Sequence, residues 1–290
     1  MGATTIRKIE VVANIASGSV GKTAPDEIQK ILTDFGMQAH VWTPEPGEIT
    51  SCLQAAIDKA PDLLIVLAGD GTARAAAELA GPNGPVIAPL PGGTMNMLPH
   101  AVYGVRSWQE ALKLALEKGI ERPIGGGYVD GHSFLVAAIL GSPALWAPAR
   151  EAARFGKPKL AWMRARRAMR RAFSGRLRYN LDNGPREKAE ALIFMCPLTS
   201  RALENDAGHL EAAALDVSSA ADAFKLGFHA LTGDWRDAPA VDVELCKVAR
   251  VWSPHGVPAI LDGESVRLGP LSEIRYVPKI ARVLALPKDV

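Results

Sequence analysis

Two short glycine-rich segments carry side chains that could bind a nucleotide. An apolar run over residues 63–67 ends in Ala68-Gly69-Asp70-Gly71-Thr72, and a second run over residues 86–90 ends in Pro91-Gly92-Gly93-Thr94-Met95-Asn96. Glycine permits positive φ and lets the backbone approach a ligand closely, and exposed amides beside a helix N-terminus bind phosphate. Two such loops after two buried strands predict a nucleotide site in which Asp70 is placed for metal or proton chemistry.

The first 122 residues alternate between strand-like apolar runs and amphipathic helical patterns. The pair Ser107 and Glu110 has the spacing of a capping box, and a helix is expected from Thr72 to Ala80. Such alternation predicts a parallel sheet with helices on both faces. Ligands of such sheets lie outside the carboxyl ends of the strands, which is where both glycine-rich segments fall. The predicted strands are residues 9–13, 39–42, 63–67 and 86–90.

The pattern changes after Gly125-Gly126-Gly127, which predicts a hinge or a domain boundary. Short β-like runs follow, separated by turn signals such as Asp182-Asn183-Gly184 and interrupted by one helical segment from Pro143 to Phe173. We therefore expect an α/β domain over residues 1–123 and a β-rich domain over residues 124–276. The predicted β-runs are residues 134–140, 177–181, 191–196, 209–215, 241–246 and 249–252.

Further motifs join the glycine-rich segments in a recognisable order. Near the start is Asn14-Ile15-Ala16-Ser17-Gly18, the middle of the chain has Asp206-x-Gly208-x-Leu210-Glu211, and a late segment reads Leu261-Asp262-Gly263-Glu264. With Gly69-Asp70-Gly71-Thr72 and Pro91-x-Gly93-Thr94-x-Asn96, these motifs resemble the diacylglycerol kinase catalytic-domain family, which includes bacterial lipid kinases, sphingosine kinases and ceramide kinases. NAD kinases and phosphofructokinases share a lone Gly-Asp-Gly-Thr, so the order of the motifs carries the resemblance.

The resemblance implies a fold and a reaction. The fold would be a Rossmann-like parallel sheet domain, as in NAD kinases and diacylglycerol kinases, and a C-terminal β-sandwich domain, with residues of about 277–290 returning to the first domain. The active site would lie in the cleft between the domains. A lipid alcohol such as diacylglycerol would attack the γ-phosphate of ATP, with Mg²⁺ as the metal.

Residue roles also follow from the resemblance. Asp262 would be the general base, and Asp70 would hold Mg²⁺ or a nucleotide phosphate beside the reaction. Glu264 would support the metal or the nucleotide. The nucleotide would further contact the glycine-rich segments and the first turn, through Asn14, Ser17, Gly18, Gly69, Gly71, Thr72, Gly92, Gly93, Thr94 and Asn96.

Three positions depart from the family pattern. Ala68 replaces a glycine, Ala75 stands where a glutamate is common, and Met97 stands where an aspartate is common. The methyl group of Ala68 is acceptable if that residue has negative φ. The missing polar groups at Ala75 and Met97 bear on the substrate and on the metal arrangement, whereas the stretch Met95–Pro99 suits either an acyl-chain entrance or a packed loop.

Other interpretations of these residues stay open. Asp-Gly pairs are common in ordinary turns and hairpins, which is the structural alternative for Asp70 and Asp262. The segment Ala16–Thr23 nearly fits a Walker A loop, with alanine in place of its first glycine. Alternative functions are an NAD kinase-like enzyme and a catalytically inactive regulator that binds lipid or nucleotide.

Composition limits the partners and the compartment. A net charge of +2 does not indicate nucleic-acid binding, and the three scattered cysteines favour a reducing cytoplasm. No apolar run is long enough to span a bilayer. The segment Arg150–Arg178 is strongly basic with interleaved apolar residues, which favours transient contact with an anionic membrane surface, although its arginines could instead clamp ATP phosphates. The sequence leaves a homodimer open.

Overall fold

The computed structural model describes residues 6–18, 20–146, 177–200, 203, 208–216, 236 and 240–287 of the 290-residue chain. These residues divide into two units, Met1–Gly125 with Pro278–Val290, and Gly126–Val277. The chain therefore first passes from one unit to the other within Gly125-Gly126-Gly127.

The first unit is an α/β fold built around a parallel sheet. Its strands are β1 (Ile9–Ala13), β2 (Ala39–Trp42), β3 (Leu63–Ala68) and β4 (Val86–Pro91), and its helices are α1 (Ala24–Asp34), α2 (Ile49–Asp58), α3 (Asp70–Ala80), α4 (Met97–Tyr103) and α5 (Trp108–Lys118). The strands lie in the order β2-β1-β3-β4, all parallel. Every residue of β1, β3 and β4 is buried, as the near-continuous apolar runs of a covered parallel sheet require. The predicted α/β fold is confirmed.

Local signals explain where the helices begin. Pro25 lies in the first turn of α1, and Ser107 and Glu110 form the predicted capping box at the start of α5. Helix α3 begins at Asp70, two residues before the expected start, because Gly69 is already extended and serves as its N-cap. Helix α4 was not predicted, since its short sequence carries no helical apolar stripe.

The second unit consists of antiparallel strands. They are β5 (Ile120–Val129), β6 (His132–Phe134), β7 (Ala137–Gly141), β8 (Leu177–Leu181), β9 (Glu187–Ala189), β10 (Ala191–Met195), β11 (Leu210–Leu215), β12 (Val241–Cys246), β13 (Val248–Trp252), β14 (Val257–Leu261), β15 (Glu264–Leu268) and β16 (Leu271–Ala285). One sheet has the order β12-β11-β10-β7-β14-β15, and the other contains β16-β13-β8-β9. Buried side chains from both sheets, such as Phe194 and Val251, share one apolar core, so the predicted β-rich architecture is confirmed.

Two details of the second unit differ from the expectation. The glycine triplet, in which the division between the units falls, lies inside strand β5 rather than in an irregular hinge. A methyl group on Gly127 would overlap the ring of Phe134. Glycine is therefore needed there to let an aromatic ring cover the backbone. The expected run over residues 134–140 is interrupted at Leu135 and Val136, between β6 and β7. Of the predicted helical segment, the described part is a short 3₁₀ helix, Ser142–Trp146, and the rest lies outside the described residues.

The last strand serves both units. Residues Leu271–Arg275 of β16 pair with β13 in the second unit, whereas Val283 pairs in parallel with Ile87 of β4 in the first. The hydroxyl of Tyr103 in α4 donates a hydrogen bond of 2.8 Å to the carbonyl oxygen of Leu284, and both groups are buried. Burial also raises the pKa of this hydroxyl well above its ordinary value.

Within the part of the chain that is described, no helix combines the length and apolarity needed to cross a membrane.

The Tyr103 hydrogen bond gives a stability prediction. Tyr103→Phe leaves the buried Leu284 carbonyl without this donor, which we expect to lower the free energy of unfolding by about 1–2 kcal/mol. Tyr128→Phe is the matched control because the Tyr128 ring is only half-buried, and its effect should stay below about 0.5 kcal/mol. Urea unfolding of both variants measures this, and equal stability of the two would contradict a role for the Tyr103 hydroxyl in anchoring the returning strand.

Candidate functional site

The two glycine-rich loops of the first unit pack directly against each other. A methyl group on Gly93 would lie 2.7 Å from the Cα atom of Gly69, and one on Gly92 would lie 2.8 Å from the backbone nitrogen of Ala68. The N–H of Gly92 also donates to the Ala68 carbonyl oxygen, at 3.1 Å. Gly69, Gly92 and Gly93 do not have positive φ, so a left-handed backbone is not the reason for glycine at these positions. Glycine is required because two backbones touch.

Asn96 holds the second loop in shape. Its Oδ1 accepts the N–H of Gly93 at 2.7 Å, and its Nδ2 donates to the Gly93 carbonyl oxygen at 3.1 Å. The residue has φ of 51°, a left-handed conformation that asparagine adopts more readily than most residues. Its carbonyl oxygen accepts the N–H of His100, which starts α4. Next to it, Thr94 and Met95 are exposed.

Asp70 connects the first glycine-rich loop to helix α4. Its Oδ1 accepts the N–H of Leu98 at 3.2 Å. Burial raises the pKa of this carboxyl, and hydrogen bonds from the N–H groups of Leu98, Met97 and Asn96 oppose that rise without cancelling it. Asp70 therefore supports the positive end of α4 as well as standing at the strand end where the sequence predicted an acid.

The turn after β1 adjoins the same loops. The N–H of Asn14 donates to the Leu67 carbonyl oxygen at 2.9 Å, and the Asn14 side chain accepts the N–H of Ala16 at 3.1 Å. A methyl group on Gly69 would lie 3.6 Å from the Oγ of Ser17, which places Ser17 beside the first glycine-rich loop. The structure thus brings the first turn and both glycine-rich loops together at the carboxyl edge of the sheet, with exposed Gly18 in the turn and half-buried Gly71 and Thr72 at the start of α3.

Asp262, in the second unit, is buried and bound to backbone amides. Its Oδ2 accepts the N–H of Leu135 at 2.7 Å, and its Oδ1 accepts those of Val136 and Ala137 at 2.9 and 3.0 Å. Its own N–H donates to the Ala137 carbonyl oxygen. These bonds give the backbone N–H groups between β6 and β7 their hydrogen-bond partners. They explain why the predicted run over residues 134–140 is interrupted. Glu264, two residues further on, is exposed.

A second hairpin aspartate has the same arrangement as Asp262. Asp182 accepts the N–H groups of Lys247 and Val248, and its own N–H donates to the Val248 carbonyl oxygen. Both aspartates have left-handed φ, 44° at Asp182 and 46° at Asp262. Asp182 is exposed, however, whereas Asp262 is buried. The turn chemistry anticipated as the structural alternative for Asp262 is therefore present.

The middle acidic motif is described only in part. Asp206 lies outside the described residues, and Glu211 is completely buried in β11. The Glu211 carboxylate accepts hydrogen bonds from Arg236, at 2.5 Å, and from Ser200. This ion pair was not foreseen from the sequence, because Arg236 and Ser200 belong to no recognisable motif. The basic segment Arg150–Arg178 lies outside the described residues apart from its last two.

Residues 8–127 match the family model described as the diacylglycerol kinase catalytic domain. The resemblance to that family is confirmed. No match was found among curated proteins.

Three solved structures from Bacillus anthracis str. Sterne share the fold. One is described as a diacylglycerol kinase and is 17% identical with a TM-score of 0.69. Two carry a provisional diacylglycerol kinase designation, at 20% identity with a TM-score of 0.74 and at 22% with 0.73. Each match covers 99% of this chain and 100% of the other. The likeness in fold is therefore not confined to the segment that matches the family model.

The glycine contacts predict unequal effects of two similar substitutions. Gly93→Ala should lower the free energy of unfolding by about 1–3 kcal/mol, because its methyl group has no room against Gly69. Gly69→Ala is the matched control, since its methyl group would meet only ordinary contacts of 3.6 and 3.8 Å. It should lower the free energy of unfolding by less than about 1 kcal/mol. Thermal unfolding compares them. A Gly69→Ala loss as large as that of Gly93→Ala would show that the loops are not held by this contact.

The raised pKa of Asp70 predicts a pH dependence of stability. Because the folded state favours the protonated carboxyl, the stabilisation is present below the ordinary pKa of 3.8 and is lost as pH rises through the raised value. The amide of an Asp70→Asn variant cannot ionise, but it can still accept the Leu98 N–H. We therefore expect the unfolding free energy of the wild type, relative to Asp70→Asn, to fall as pH increases from below 3.8 towards neutrality. Urea unfolding across this range measures the difference, and a rising difference would contradict the desolvation of Asp70.

Proposed function

We propose that this protein is an ATP- and Mg²⁺-dependent lipid kinase that transfers the γ-phosphate to a lipid hydroxyl. The observation that carries the proposal is the packing of three loops at one sheet edge, inside the segment that matches the diacylglycerol kinase catalytic domain. Phosphoryl transfer depends chiefly on positioning and on neutralising charge. Loops locked together by backbone contact are suited to hold phosphate groups in a fixed geometry.

The donor groups of the first unit fit a magnesium–nucleotide substrate. Mg²⁺ usually keeps several waters and binds through one or two carboxylates together with substrate phosphates. Among the described residues, no three histidine, cysteine or acidic side chains are grouped as a metal site, so substrate phosphates would supply the other ligands. Asp70 would hold the metal. A supporting role for Glu264, which belongs to the second unit, rests on the resemblance of its motif alone. When bound, Mg²⁺ would supply charge neutralisation at the transferring phosphoryl group.

The acceptor hydroxyl needs a proton acceptor, and we assign that role to Asp262. The assignment rests on the resemblance of Leu261-Asp262-Gly263-Glu264 to the family motif. Three backbone N–H groups fix the orientation of the carboxylate, so no side-chain ordering would be needed during the reaction. The substrate hydroxyl must come within hydrogen-bond reach of one carboxylate oxygen. The proton would then move from the hydroxyl to Asp262 as the new oxygen–phosphorus bond forms. The bond between the γ-phosphorus and the β–γ bridging oxygen would break in the same step, with ADP as the leaving group.

The acceptor is proposed to be a lipid alcohol, reached by transient association of a cytoplasmic enzyme with a membrane. Of the apolar stretch after the second loop, Leu98 and Pro99 are buried and form the first turn of α4, whereas Met95 is 42% exposed. Packing thus accounts for most of this stretch, and Met95 remains as an apolar side chain that could meet a lipid or the nucleotide base. Diacylglycerol, a sphingoid base, ceramide and phosphatidylglycerol are the acceptors to compare.

The decisive experiment measures transfer of labelled γ-phosphate from ATP to these lipids in anionic mixed micelles, with soluble NAD alongside. We expect a labelled lipid with the wild type. Asp262→Asn should still bind ATP but lose at least about a hundredfold in transfer rate, as removal of a general base does. Label in NADP would assign an NAD kinase-like activity instead, and ATP binding without any transfer would assign a regulator.

A matched control separates chemistry from structure at Asp262. An asparagine there places an amide against a backbone N–H, which we expect to destabilise the fold by about 1–3 kcal/mol. Asp182→Asn disturbs the equivalent hairpin contact, and it should keep its transfer rate. If Asp182→Asn loses transfer as fully as Asp262→Asn while both remain folded, Asp262 has no special chemical role.

A further inference from the structure

The outer face of strands β16, β13, β8 and β9 in the second unit carries a row of cationic and apolar side chains. Lys188 lies opposite Arg178, Arg178 lies opposite Trp252, and Trp252 lies opposite Leu271. Residues directly opposite each other in antiparallel strands point to the same face. These four side chains therefore form one continuous row across β9, β8, β13 and β16.

More cations lie on the same face. Arg250 is two residues from Trp252 along β13, and Arg275 lies opposite Val248 on the neighbouring strand, so both point the same way as the row. The intervening residues Val251 and Ile274 are buried in the core, which fixes this face as the outer one. We call it the basic face, and it comprises Arg178, Arg186, Lys188, Arg250, Trp252, Leu271 and Arg275.

Aromatic rings hold two of these cations in place. The guanidinium of Arg186 lies 5.2 Å from the centre of the Trp252 ring, and that of Arg275 lies 4.9 Å from the centre of the Tyr128 ring. Both distances are typical of cation–π contacts. The basic face thus presents ordered charges beside apolar surface, and Leu271 is 57% exposed.

The charge on this face is poorly balanced within the sheet. Two acids lie among the described residues of its rows: Glu273 pairs with Arg250 at 3.0 Å, and Asp182 accepts backbone N–H groups at the end of a row. Arg178 and Lys188 face each other directly across two strands, and like charges in that position destabilise a sheet. An anionic surface outside the sheet would relieve this repulsion.

We propose that the basic face docks on the anionic surface of a lipid bilayer. The inference rests on the proposed lipid kinase function, which requires contact with a membrane-borne acceptor. Lysine and arginine near a bilayer are attracted to anionic headgroups, tryptophan prefers the headgroup level, and exposed Leu271 adds apolar area. Arg186 already covers one side of the Trp252 ring, so the ring is less suited to stacking on a nucleic-acid base.

Vesicle binding without ATP tests the docking surface directly. Wild type is sedimented with phosphatidylglycerol–phosphatidylcholine vesicles and with phosphatidylcholine vesicles. We expect binding to the first only, weakened by salt. The double variant Arg178→Glu with Lys188→Glu should lower the partition coefficient by at least about 25-fold, because each cation near the surface contributes about fivefold.

A charge-matched variant controls for net charge. Lys30→Glu with Lys113→Glu makes the same change at exposed positions on α1 and α5, and it should keep wild-type partitioning. The single variant Arg178→Glu places an acid opposite Lys188, so its unfolding temperature should not fall. Equal loss of binding in the matched control, or retained binding in the Arg178→Glu, Lys188→Glu variant, would overturn the proposal.

A kinase assay separates this proposal from the proposed function. With a water-soluble short-chain diacylglycerol, the basic-face variant should phosphorylate at the wild-type rate, whereas with vesicles it should be slower. Vesicle binding that depends on the basic face, without any transfer to lipid, would support docking and overturn the kinase. Transfer to lipid without such binding would overturn docking alone.

Discussion

Carboxylates that accept backbone N–H groups from a neighbouring segment organise both units of this protein. Asp70 links the first glycine-rich loop to α4, and Asp262 links its own hairpin to the segment before β7. A charged acceptor makes a stronger hydrogen bond than a neutral one. The candidate catalytic acids therefore lie where they also hold the fold, so activity and stability are coupled at the same atoms.

This coupling changes how substitutions at acidic motif residues must be interpreted. Loss of activity at Asp262 has a structural explanation as well as a chemical one, and exposed Asp182 supplies the comparison because its hairpin uses the same bonds. Glu211 is the opposite case. Its buried carboxylate is paired with Arg236, and removing one partner of such a pair leaves an uncompensated charge in the core.

Sequence patterns predicted the α/β unit well because its strands are continuous apolar runs and its helices carry clear start signals. They also placed Asp70 and both glycine-rich loops at one sheet edge. They did not reveal that Gly93 packs against the backbone of Gly69, because which backbones touch depends on the three-dimensional packing. The Glu211–Arg236 pair and the basic face were likewise hidden, since both arise from strand register between distant segments.

The final strand has a consequence for the order of folding. The first unit is completed by β16, whose Leu284 bonds to a tyrosine 181 residues earlier in the chain. During synthesis the second unit emerges before this strand can pair with β4. Contacts of such long sequence separation form slowly, and an unpaired strand edge invites association with other chains. The edge of β4 therefore stays unpaired and exposed until β16 has been synthesised.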